Sequence, residues 1–193
     1  MILFIILSKF AHKDKKLITF AHQKQRQMIK IRATQKQDIP AIMAIYEVAK
    51  LFMRANGNGS QWANGYPWEE LIEEDRQAGH SFVCVDEADE PIGTFCFFVG
   101  DEPTYQQIFD GAWLDDAPYG VIHRLASNGK QRGIAQACLD WAFQQCPNIR
   151  IDTHHNNRVM RSLLTQRGFI PCGTIFVEDG TPRIAFQKQE NRY

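Results

Sequence analysis

Six consecutive residues carry the sharpest chemical signal in this chain: Lys130, Gln131, Arg132, Gly133, Ile134 and Ala135. An apolar run over residues 119–126 leads into a polar loop over 127–132. The loop opens at once into a helical pattern whose first residues are small. The first amides of a helix have no partner inside it. They point outward, and the helix dipole adds partial positive charge at that end. Gly133 and Ala135 keep bulk away, so a phosphate can reach the backbone, while Lys130 and Arg132 bring full charges. These residue types in this order make a phosphate cradle. The competing reading is that Gly129 and Gly133 only serve a turn.

Other residues could move protons. His123 sits in the apolar run, and imidazole titrates near ~6.5. Tyr119 falls on the same strand face by period-two alternation. A histidine in a central strand is also a common satisfied core residue. His154 and His155 follow the strand over residues 149–153. Adjacent residues on a strand face opposite ways, so the pair alone does not make a metal site, and hydrogen bonding near the cleft is the better reading. Trp62, Tyr66 and Trp68 lie in the loop after the first helix, where they would line an acceptor pocket or pack between helices.

The elements that position these groups follow from periodicity. Residues 28–33 alternate as a half-buried strand. Asp38 precedes a helical stripe of Ile39, Ile42, Met43, Ile45, Tyr46, Ala49 and Phe52, broken by the Asn56-Gly57-Asn58-Gly59-Ser60 loop. A second helix is expected over 67–77, with Pro67 in its first turn and Glu69 and Glu70 near its positive end. Residues 81–86 and 91–99 read as a hairpin, and 101–118 fit no single pattern. Residues 119–126 form a strand. Ile134, Ala135, Ala137, Cys138, Trp141 and Ala142 mark a helix face. A strand over 148–153, a helix over 158–166 ended by Gly168, and strands over 170–178 and 183–187 around Asp179-Gly180 complete the order. This is one mixed α/β layer domain.

Composition narrows the classes. The 193 residues carry 22 basic and 22 acidic side chains, which argues against a general nucleic-acid binder. Residues 1–27 hold six Lys/Arg and one Asp, a net of +5, so the remainder is −5. The apolar run over residues 2–7 is far shorter than the ~20 residues of a membrane span and lacks the flanks of a signal peptide. We read 1–27 as a poorly ordered leader, with Met28 as the candidate true start, and place the domain at 28–193. Five cysteines, an odd number without CxxC spacing, point to reduced buried thiols and a cytoplasmic location rather than disulfides or zinc.

The loop Lys130-Gln131-Arg132-Gly133-Ile134-Ala135 resembles the pyrophosphate loop of the GNAT acetyltransferase superfamily, with pattern Gln/Arg-x-x-Gly-x-Gly/Ala. Gly133 and Ala135 match; Lys130 departs at the first place. A second match lies downstream. Asn157, Met160, Leu163, Gly168 and Phe169 fit the family's Asn-x-x-small/apolar-x-x-Leu-x-x-x-x-Gly-Phe helix. Ile31-Arg32-Ala33-Thr34 with Asp38-Ile39 is similar to the opening strand and helix. The resemblance spans nearly all of residues 28–188 and is strongest to small bacterial-type members with Gly-Val-Ile-His-Arg before the loop.

The resemblance implies the GNAT fold: a twisted, mostly antiparallel sheet with a splayed parallel central pair and helices on both faces. It implies acetyl-CoA as acyl donor. The pyrophosphate would lie on Lys130, Gln131, Arg132, Gly133, Ile134 and Ala135, the pantetheine arm along Leu125 and Ala126, and Asn157 beside that arm. A small-molecule or peptide amine would attack the thioester directly, without an acyl-enzyme, helped by a base and an acid. His123 and Tyr119 are the candidate catalytic groups. No metal, membrane or nucleic acid is implied, and a homodimer is compatible with it. Where many members carry a tyrosine acid, seven residues after the Asn, this chain has Leu164. A catalytically silent acyl-CoA-binding regulatory module, or an interaction domain without cofactor, are the alternatives to an N-acetyltransferase.

Overall fold

The computed structural model describes residues 29–190. The reading of 1–27 as a leader and of Met28 as the start lies outside the described residues. Strands β1 (Lys30–Ala33), β2 (Ser81–Val85), β3 (Pro91–Val99), β4 (Gly120–Ser127), β5 (Asn148–Thr153), β6 (Ile170–Phe176) and β7 (Pro182–Gln189) form one sheet in the order β1-β2-β3-β4-β5-β7-β6. Neighbours are antiparallel except β4 and β5, which run parallel. Helices α1 (Ile39–Ala55) and α2 (Glu69–Gln77) cover one face, and α3 (Ile134–Gln145) and α4 (Arg158–Gln166) the other.

Each helix is set by a local device. The Asp38 carboxylate accepts from the Gln35 amide at 2.7 Å and from two Arg32 nitrogens at 2.6 and 3.1 Å, tying β1 to the start of α1. Burial works against that carboxylate, but Arg32 and the amide hold it below the usual range. The α1 stripe turns out to be Ile42, Ile45, Tyr46 and Met53, whereas Phe52 is 53% exposed. At about 100° per residue Met53 stacks nearly over Ile42 and Phe52 falls about 80° away, which corrects the expected stripe. Helix α2 starts two residues later than expected, because Trp68 keeps an extended backbone and Pro67 stays in the loop.

On the other face Ile134, Cys138, Leu139, Ala142 and Phe143 of α3 pack with Ile122, Ile149, Ile151 and Phe186. A Cβ on Gly93 of β3 would stand 2.4 Å from Ile134 Cγ2, so only glycine lets the first turn of α3 settle on the sheet. All five cysteines are free and buried. The segment 101–118, ambiguous by pattern, contains only a short 3-10 turn, Pro103–Tyr105, and folds over β4, β5, β6 and β7. The last hairpin turns at Gly180, whose φ is 76°, and strand β6 ends at Phe176 rather than at residue 178.

Candidate active site

The β4–β5 pair is the origin of the site. Register runs Gly120↔Ile149, Val121↔Arg150 and Ile122↔Ile151, then stops. From His123 and Asp152 onward the two strands separate. The β4 residues beyond that point keep their pairing to β3 only, so their other edge faces the opening. One residue later β4 carries a bulge: Arg124 and Leu125 together oppose Phe95, and Arg124 adopts φ 55°. A bulge re-aims side chains. Here it sends His123 and Arg124 to the same face, while Leu125 joins the core under α3 and Ala126 returns to the α1 side.

On that face His123 stands between two carboxylates. Its Nε2 lies 3.0 Å from Glu102 Oε2, and its Nδ1 lies 3.7 Å from Asp152 Oδ1. Glu102 also accepts from the amide and hydroxyl of Thr104 at 3.1 and 2.9 Å. Burial opposes its charge, yet the His123 contact and the Thr104 bonds bring its pKa down to about 2. An ionised carboxylate can only accept, so Nε2 donates to Glu102, and Nδ1 is the nitrogen on the Asp152 side. Asp152 in turn accepts from the Tyr105 hydroxyl at 2.8 Å.

Tyr119 does share the His123 face, as alternation predicts, but its oxygen is engaged. It accepts from the Glu102 amide at 3.2 Å, and its ring lies 3.9 Å from the Arg150 guanidinium, which is also 4.3 Å from Trp113. Tyr119 therefore holds Glu102, which holds His123. Beside this chain is a second one. Arg124 donates to Asp75 of α2 at 2.5 Å and to the Tyr66 hydroxyl at 3.2 Å. Cys96 approaches Asp75 at 3.7 Å, and burial pushes its thiol up to about 12, so it stays protonated.

The loop residues divide by role. Gly133 caps α3 with φ 88° and, having no side chain, makes no capping bond of its own; the nearest atom to an added Cβ among the described residues is 4.0 Å away. Lys130, Arg132 and Gly133 are exposed around it, with Gln131 and Ala135 partly so. The side chain of Ile134 is buried in the core, so only its backbone faces the loop. The Lys130 amide is held by Asn128 Oδ1 at 3.0 Å. The open glycine, the uncapped first turn and two cations fit a pyrophosphate. At the tip of β5 the Thr153 hydroxyl is buried without a partner among the described residues, a polar atom that an occupant of the opening could satisfy.

Asn157 caps α4 by accepting from the Met160 amide at 3.1 Å, and donates to Gln61 at 3.0 Å. It thereby ties the loop after α1 to the far strand of the opening. Trp62 packs edge-on to Tyr46, and Tyr66 edge-on to Trp68. Of the three aromatics, Tyr66 reaches the site. Leu164 is fully buried under the sheet. His154 and His155 lie just beyond β5, so strand alternation no longer separates them, and their rings stack at 4.2 Å. The Asn156 amide donates to His154 Nδ1 at 3.1 Å. An open groove of about 690 Å³ between α4 and the β6–β7 hairpin is lined by Arg158, Arg161, Ile184 and Phe186; it lies on the opposite sheet face and shares no group with the histidine cluster.

Sequence reasoning missed Glu102, Tyr105, Asp152 and the Arg124 cluster. One signal was present: Asn148, Arg150 and Asp152 place three polar side chains at period two, alternating with Ile149 and Ile151. Such a face must meet polar partners.

A mixed sheet split at its one parallel pair, with a helix starting at Gly133 at one end and a histidine–carboxylate cluster beside the split, is the architecture of an acyltransferase fold. The model of the acetyltransferase (GNAT) family matches residues 42–169, and the chain belongs to that family. It is similar to a GNAT-family acetyltransferase from Streptococcus agalactiae, with 29% identity, TM-score 0.77, and coverage of 85% of this chain and 96% of that one. It shares the fold of a GNAT-family acetyltransferase from Listeria monocytogenes at 18% identity and TM-score 0.61, covering 84% and 95% of the two chains. A search of curated proteins finds no match. Acetyl transfer is the general activity of the family. Among the described residues no helix is long and apolar enough to cross a membrane.

Proposed function

We propose that this protein is an N-acetyltransferase that moves the acetyl group of acetyl-CoA directly to the amine of a small molecule or peptide. The observation that carries this reading is His123, pinned between Glu102 and Asp152 where β4 and β5 part. When bound, acetyl-CoA supplies an activated thioester. The chain's own residues do the rest. The first turn of α3 with Lys130, Gln131, Arg132, Gly133, Ile134 and Ala135 binds pyrophosphate through backbone and charge. Leu125 and Ala126 offer free backbone groups on the open edge of β4, and Asn157 closes the far side. An acceptor arriving as an ammonium is attracted by Asp152 and gives its proton to His123 Nδ1. Glu102 keeps Nε2 protonated and stabilises the resulting imidazolium. Tyr119 positions Glu102.

Calorimetry with acetyl-CoA on the full chain, followed by thiol release against a panel of primary amines, tests this. Binding that Gly133→Asp abolishes, together with amine-dependent thiol release, is the expected result. Binding without release would favour a silent acyl-CoA-binding regulatory module. No binding by the folded parent would remove the enzyme reading.

A further inference from the structure

The amine's proton has a destination in His123, but the departing thiolate needs one too, and the reading above assigns no donor. Leu164, fully buried, offers none. Tyr66 is the phenol nearest to an answer. It hangs from the loop between α1 and α2, and its oxygen accepts a 3.2 Å bond from Arg124 Nη1. No acceptor for the phenol's own hydrogen is seen among the described residues. Its ring is held edge-on by Trp68 at 5.4 Å. Arg124 belongs to β4, two residues beyond Ile122, the last residue of that strand paired to β5. Tyr66 thus reaches the β4 lip of the opening.

We infer that Tyr66 is the proton donor to the leaving thiolate, held in place by the Asp75–Arg124 pair. This rests on the acetyl-transfer reading. In the step, the amine lone pair forms the new C–N bond, the thioester C–S bond breaks with its electrons on sulfur, and the acylated nitrogen loses its extra proton to solvent to leave the neutral amide. The Tyr66 hydroxyl proton passes to that sulfur. The tyrosinate left beside the Arg124 guanidinium regains a proton from solvent, while His123 releases to solvent the proton it took from the amine. Burial raises the Tyr66 pKa and outweighs the opposing effect of Arg124, so the phenol is fully loaded at neutral pH. The guanidinium then stabilises the phenolate as it forms.

The test compares the parent, Tyr66→Phe, and a full chain with 3,5-difluorotyrosine at position 66. The amine is the best acceptor found in the panel. Tyr66→Phe is expected to lower kcat by about 10²-fold, the usual worth of a positioned acid. The acetyl-CoA Kd by calorimetry and both KM values should stay within about two-fold, since general acid catalysis acts in the transition state and not on binding. The difluoro variant, with a more acidic phenol, should restore turnover and bring the alkaline limb of kcat to lower pH. Its fluorine resonances should move when coenzyme A is added, a readout independent of turnover. A Tyr66→Phe enzyme with parental kcat would overturn the assignment. So would a change confined to the acceptor KM, or fluorine signals indifferent to coenzyme A. A parent that binds acetyl-CoA yet transfers to no amine would instead overturn the underlying transfer reading, whatever the variants do.

Discussion

Glu102→Gln isolates the charge that orients His123. The glutamine oxygen can still accept from Thr104, so the turn at Pro103–Tyr105 should survive. What disappears is the charge-assisted bond to Nε2, now 3.0 Å long. Bonds to charged groups contribute about 1.5–3 kcal/mol, and each 1.4 kcal/mol is about tenfold in rate. In the proposed mechanism the His123 imidazolium loses that support, so kcat is expected to fall by about 10- to 100-fold with the acetyl-CoA KM unchanged. The same substitution has a signature in stability. Folding lowers the Glu102 pKa from 4.5 to about 2, so its contribution is present above pH 4.5 and lost as pH falls through 2. That drop is worth at most about 3 kcal/mol. The side chain is 14% exposed, and solvent screening reduces the expected slice to about 1–2 kcal/mol. Urea unfolding of the parent should weaken by that amount between pH 4.5 and 2, and Glu102→Gln should show a flatter profile there. Parental kcat in Glu102→Gln, measured by thiol release, would refute the orienting role; an unchanged pH profile of stability would refute the electrostatic argument.

Gly93→Ala puts a methyl 2.4 Å from Ile134 Cγ2 and 3.2 Å from the Ala126 carbonyl, so overpacking of about 1–3 kcal/mol is expected, read as a lower Tm, with weaker acetyl-CoA binding because the first turn of α3 must shift. Gly133→Asp combines a strained left-handed backbone, about 1–2 kcal/mol, with an anion facing the pyrophosphate; calorimetry should show at least a tenfold loss of affinity in a chain that remains folded. Leu164→Tyr should not raise kcat, because the site is fully buried with no room for a phenol; a destabilised protein with unimproved turnover is the expected outcome, and a faster enzyme would contradict the packing described here.

Much of the fold was legible because its elements are amphipathic. Helices α3 and α4 and strands β3 and β5 stand where periodicity puts them. Helix boundaries failed where one residue's backbone decides, as at Trp68, whose extended conformation leaves Pro67 outside α2. The helix start at Gly133 was also legible, since it is a local object: six adjacent residues and one helix N-terminus, which the proposed function assigns to the pyrophosphate. The proton-handling half was not. Glu102 and Tyr105 come from an irregular stretch, Asp152 from β5 and Tyr66 from a loop, and what unites them is contact across 21 to 58 positions of sequence. Period two marks Asp152 as needing a polar partner, but no period names that partner. His123 could be chosen for its chemistry, but its partners could not.

The bulge at Arg124 explains why this second half works at all. In a regular strand His123 and Arg124 would point to opposite faces. Arg124 would then enter the apolar layer of Ile122, Ile134 and Leu139, where an unpaired guanidinium is very costly. Its positive φ, unusual for a side-chain-bearing residue, is held by Asp75 and Tyr66, which meet the guanidinium on the α1–α2 side. Two results follow from the one distortion. Leu125 takes the core position that Arg124 vacates, so the layer under α3 stays apolar. The histidine and the arginine, with the hydrogen-bonded groups attached to them, come to share one face beside the opening. Asp75 contributes no atom to the His123 cluster, yet it secures the backbone geometry that brings that cluster and Tyr66 together.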